Sequence, residues 1–189
     1  MENILLNIND RESFRKWLYE NCEKESECWI TVKSGEPTED GKFYYIDAIE
    51  EALCFGWTDS IKKRIGGTQL FRFSPRSDVW PWTELNKERV RRLEKIGLMT
   101  DAGRKVLPPM EPDSFEIDTE IVGALEKADA LETFRSFPVL YQRVRANTVM
   151  SYKERLPAIY VKMLSHLVNE TKKGNMYGEW NDYGRLIDY

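Results

Sequence analysis

Three prolines, Pro108, Pro109 and Pro112, divide the 189-residue chain into parts of different character. Proline fixes its own φ and has no N–H to donate, so a cluster of them ends whatever element precedes it. Every stretch with strand chemistry lies before the cluster, and helical patterns dominate after it. The sequence therefore predicts an α+β class. A small antiparallel sheet packs with helices over residues 1–108, and a mainly helical region over 109–189 docks on it.

Asp10 is placed to cap a helix over 11–23, with Phe14, Trp17, Leu18 and Tyr19 as its apolar face. Residues 27–33 are rich in β-branched and aromatic side chains and read as a strand ending at Ser34-Gly35. Over 45–55, Ile46, Ile49, Ala52 and Leu53 fall at helical spacing, with Asp47 or Tyr45 opening the helix and Gly56 closing it. Segments 59–65 and 69–74 flank Gly66-Gly67-Thr68 and predict a hairpin. A helix over 82–96, capped by Thr83, turns Leu85, Val90 and Leu93 inward and Lys87, Arg89, Arg91, Arg92 and Lys95 outward. Thr100-Asp101 caps a short helix to Val106. Further helices are expected over 118–128, 130–134 and 138–146. Ser151-Tyr152-Lys153-Glu154 has the form of a capping box opening a helix to about residue 173, with Pro157 forcing a kink or a delayed start.

Composition narrows the function. A hydrophobic fraction of 41% and an aromatic fraction of 12% build a core without disulfide or metal staples. The net charge of −4 argues against nucleic acid as a partner. The opening residues MENILLNIND have no basic leader and no long apolar run follows, so a cytoplasmic protein without membrane insertion is expected. Cys22, Cys28 and Cys54 are odd in number and lack a CxxC, which fits reduced thiols. His166 is the only histidine and sits in a helical stretch. No metal site and no cofactor is therefore expected, and neither a Walker loop nor a GxGxxG is present.

Four blocks stand out in order: Glu51-Ala52-Leu53-Cys54-Phe55-Gly56-Trp57-Thr58-Asp59-Ser60, then Arg72-Phe73-Ser74-Pro75-Arg76, then Trp82-Thr83-Glu84-Leu85-Asn86, then Gly97-Leu98-Met99-Thr100-Asp101-Ala102-Gly103. Together they resemble the YdeI/OmpD-associated family, also called bacteriocin-protection proteins, over roughly residues 10–110. Trp80 stands where that family carries a serine. The family takes its names from resistance and porin-association phenotypes. The resemblance thus implies a fold more strongly than a chemistry, and with it a binding or stress-tolerance protein that gives resistance to cationic peptides or bacteriocins.

The candidate ligand-binding residues are Trp57, Asp59, Arg72, Arg76, Trp82 and Asn86. Trp57 and Asp59 follow a helix exit where a loop presents them, although Trp57 also suits the core. Arg72 and Arg76 can clamp a carboxylate or phosphate, or pair with Glu50, Glu51 or Asp59. Trp80 and Trp82 can stack on a planar ligand while Asn86 reads its edge. Two roles follow: a protein that binds a small anion or a protein partner, or an enzyme on a small anionic substrate with Asp59 as acid/base. A hairpin returns the chain to its start, so Asp59 is expected to pair with Arg72 or Arg76. The basic run Lys62-Lys63-Arg64 and the helix face Arg89, Arg91, Arg92 and Lys95 read as solvated surface.

Overall fold

The computed structural model describes residues 5–77 and 81–189. These form two compact units: Met1–Pro81 with Glu88–Pro108 and Tyr189, and Trp82–Lys87 with Pro109–Asp188. A division at 108 assigns Trp82–Lys87 to the first part, whereas in the structure they belong with the second.

The first unit is an α+β layer. Its strands β1 (Cys28–Thr31), β2 (Trp57–Ile65) and β3 (Thr68–Pro75) run antiparallel in the order β1-β3-β2. Gly66 and Gly67 both take positive φ, 55° and 84°, which a two-residue hairpin turn of the primed kind requires. The ladder runs from Ile65 opposite Thr68 to Trp57 opposite Pro75, with a register shift between Asp59 and Ile61. Ser60 is the extra residue of this bulge. β1 is shorter than its sequence suggests, because Lys33 leaves the ladder for an isolated bridge to Tyr44.

Helix α1 (Arg11–Asn21) is capped by Asp10, whose carboxylate accepts from the Ser13 N–H at 2.7 Å. Phe14 and Leu18 are buried, with Phe14 edge-on to Phe73 at 5.5 Å and Trp17 edge-on to Trp57 at 5.7 Å. Tyr19 does not join this face and is 78% exposed. Helix α2 (Tyr45–Cys54) starts at Tyr45, as the sequence predicts; Tyr44 is the cap and Asp47 reaches back to its N–H at 3.2 Å. Helix α3 (Glu84–Lys95) follows Thr83, whose hydroxyl accepts from the Asn86 N–H, and α4 (Asp101–Arg104) follows Thr100. The division between the units falls inside α3.

In the second unit, α5 (Thr119–Lys127), α6 (Leu131–Ser136), α7 (Val139–Met150) and α8 (Pro157–Lys172) enclose Ile121, Leu125, Phe134, Tyr141, Val149 and Leu167. Ser151 does not open a helix. It caps the end of α7, its hydroxyl donating to the Thr148 carbonyl at 2.8 Å. α8 instead begins with Pro157 in its first turn, where the missing N–H costs nothing. Among the described residues no helix is long and apolar enough to cross a membrane.

Candidate functional site

Three of the four sequence blocks meet at the C-terminal end of α2. The Cys54 carbonyl accepts from both the N–H and the hydroxyl of Thr100, at 3.1 and 2.6 Å. A Cβ on Gly103 would lie 2.3 Å from that carbonyl oxygen, so only glycine lets α4 approach so closely. Gly56, at φ 74°, closes α2, and its carbonyl accepts from the Arg76 N–H at 2.8 Å. The residues that make these blocks conspicuous are packing partners here.

Trp57 is 1% exposed and its indole N–H is spent on the Cys22 carbonyl at 3.0 Å. It fills the core and offers no face to a ligand, which corrects its place among the candidates. Arg72 is corrected as well. Period-2 geometry buries Phe71 and Phe73 on the helix side, so the side chain between them emerges on the other face. There its guanidinium donates to Glu27 Oε2 at 2.6 Å and to the Ser60 hydroxyl at 2.9 Å, and Trp29 donates to the same carboxylate at 3.1 Å. Arg72 is thus not the partner of Asp59. The hydrogen bonds from Arg72 and Trp29 hold the Glu27 carboxyl below the usual range.

Asp59 accepts a hydrogen bond from the Tyr45 hydroxyl, and Tyr45 lies over Phe71 with ring centres 4.5 Å apart. Burial, reinforced by the Asp59 charge, pushes the Tyr45 hydroxyl pKa upward and keeps it a proton donor. Arg76 stands within electrostatic reach. Burial lowers its pKa, and the charge of Asp59 counteracts that. One Arg76 nitrogen donates to the Pro81 carbonyl at 3.2 Å. The first unit therefore assembles Asp59, Tyr45 and Arg76. Trp82 and Asn86 belong to the second unit, before and within the first turn of α3. Trp80 lies outside the described residues.

Sequence patterns missed the most heavily charged part of the first unit. Glu50 and Glu51 are 0% and 1% exposed. Arg11 donates to Glu51 at 2.5 Å and to Glu50 at 2.8 Å, Arg15 to Glu51 at 2.7 Å, and Arg92 to Glu50 at 2.9 Å. The one local signal was Arg11 and Arg15, four positions apart on a single helix face. Burial, then the Glu51 charge, pushes the nearby Cys54 thiol up to about 12.

The basic stretches differ from one another. On α3, Lys87 pairs with Glu84 at 3.0 Å, Arg91 with Glu88 at 2.5 Å and Arg92 with Glu50 at 2.9 Å. On β2, Lys62, Lys63 and Arg64 are exposed and make no ion pair among the described residues. Lys62 lies 5.2 Å from the Phe71 ring centre and Lys63 4.9 Å from that of Trp29. A surface depression of about 750 Å³, lined by Tyr19, Cys22, Phe55, Met99, Thr100 and Arg104 among others, contains none of the six candidates. Among the described residues no group of three or more His, Cys, Asp or Glu is arranged to hold a metal.

A family model described as a domain of unknown function matches residues 6–106. No curated protein and no solved structure matches the chain.

Proposed function

Since the chain belongs to the DUF8412 family, whose description assigns no activity, we propose a role from its own residues: a cytoplasmic binding protein of the YdeI/OmpD-associated, bacteriocin-protection type, which supports bacterial tolerance of cationic peptides without catalysing a reaction. The observation that carries this reading is the exposed basic run Lys62, Lys63 and Arg64 on β2, set against candidate catalytic partners that are occupied elsewhere. Arg72 is neutralised by Glu27 and Trp57 is buried, so a catalytic clamp of Asp59 with both arginines has lost its parts. A basic surface repels cationic peptides. Tolerance on this reading works through an acidic cellular partner and not through capture of the peptide.

One observation favours a second reading, an enzyme on a small anion. Asp59 and Arg76 sense each other's charge, and Tyr45 hands Asp59 a hydroxyl that resists deprotonation. Expression of variants in a bacterium challenged with a cationic peptide separates the two. Lys62→Gln, Lys63→Gln and Arg64→Gln together should abolish the protection given by wild type, and Asp59→Asn should leave it intact. The reverse outcome would replace the binding reading with the enzymatic one.

A further inference from the structure

We infer that the outer edge of β2, residues 61–65, is a docking edge for an acidic, extended segment of another protein, which adds to the sheet as a fourth strand. This rests on the binding reading and names the partner's chemistry. The strand order β1-β3-β2 leaves β2 with one side facing away from the sheet. Residues 60–68 are all exposed, so neither helix nor loop among the described residues covers that side. An uncovered strand edge presents a row of N–H and C=O groups, and strand addition uses them for affinity while alternate side chains supply specificity.

Charge complementarity fixes the occupant. Residues 61–65 carry Lys62, Lys63 and Arg64 and no acidic residue, while Arg72 on β3 is already paired with Glu27. The register places Lys62 opposite Phe71 and Arg64 opposite Gln69 on one face of the ribbon, and Ile61, Lys63 and Ile65 on the other. A second copy of this edge would set like charges across from one another, which disfavours self-pairing. A strand with carboxylates on both faces meets a cation at each of the three middle steps, Lys62, Lys63 and Arg64. Ile61 and Ile65 are 43% and 61% exposed, and β-branched residues in the partner would cover them. Lys62 and Lys63 already lie along aromatic rings, so they give up less freedom on binding. A nucleic acid backbone would favour cations gathered on one tracking face. Here they alternate between faces and are flanked by the exposed Ile61 and Ile65.

The test uses the full chain and a capped peptide, Thr-Val-Glu-Glu-Glu-Val-Thr, whose carboxylates fall on both faces of a strand, followed by fluorescence anisotropy and by hydrogen exchange of the β2 amides. The expected result is binding with protection of β2, loss of binding in the Lys62→Glu, Lys63→Glu, Arg64→Glu variant, and about tenfold or greater weakening when alternate peptide nitrogens are methylated. The methylated peptide keeps its charge and meets the wild-type protein, so that arm does not depend on the variant folding. Equal binding of the methylated peptide would reduce the contact to charge alone and overturn the inference. So would no binding, or tighter binding of a single-stranded or duplex DNA oligonucleotide than of the peptide. If the peptide fails while the glutamine variant still loses tolerance, the edge is wrong and the binding reading stands. If both fail, the binding reading falls with it.

Discussion

At the scale of single residues, Glu51 carries the largest uncompensated risk. A carboxylate 1% exposed is stable only because Arg11 and Arg15 reach it from α1. Removing one member of a buried pair strands the other charge, at a cost of about 3–5 kcal/mol. Both arginines are about a third exposed, so the lower end applies. Glu51→Ala should therefore destabilise the protein by about 3 kcal/mol in urea unfolding. The sequence showed these residues but not their pairing, because the contacts span 36 to 40 positions and no local spacing rule carries them. Asp59 is similar. It was legible as a polar group at a helix exit, but its hydrogen-bond donor is Tyr45, fourteen positions upstream on α2. Trp57 and Arg72 misled for a different reason: their chemistry suits a ligand, and only the burial pattern of β2 and β3 shows where each points.

Among the elements, the contact of α2 with α4 is the most exacting. At Gly103 an added Cβ meets backbone, 2.3 Å from the Cys54 oxygen, and backbone cannot swing aside as a long side chain can. Gly103→Ala should cost about 3 kcal/mol, the upper part of the overpacking range. Gly123, inside α5, has nothing within 4 Å of the same added atom. There Gly→Ala should raise stability by about 0.5–1 kcal/mol, because the unfolded chain loses freedom and the helix gains a better former. Thermal melts of the two variants test opposite signs of one substitution. The hairpin was legible because its two glycines are the turn chemistry itself. The capping box at Ser151 was not a start, because Val149 is fully buried and holds α7 helical up to Met150. Tertiary burial overrode a local signal that was chemically sound.

For the molecule as a whole, charge pairing sets the pH range of stability. Hydrogen bonds from Arg72, Arg104, Lys153 and Lys173 hold Glu27, Glu94, Asp118 and Glu170 below their ordinary pKa values. Depressed carboxylates contribute fully above the unfolded-state value of about 4 and lose that contribution as pH falls through the folded values. Burial pushes Cys28, Cys54 and Tyr177 the other way, each up to about 12. Such groups contribute below the unfolded-state values, about 8.5 for thiols and 10 for tyrosine, and lose it as pH rises toward the folded ones. The urea midpoint should be level from about pH 5 to 8 and fall on both sides. A curve still level at pH 3 would show that these pairings contribute nothing to folding. The placement of Trp82–Lys87 in the second unit also has a consequence in time. Glu84 is buried with Arg143, which follows it by 59 positions. At about 5–20 residues per second, a ribosome releases the glutamate roughly 3 to 12 seconds before its guanidinium partner exists. During synthesis the first turn of α3 must wait in water, and this unit closes only after the chain has grown well past the proline cluster.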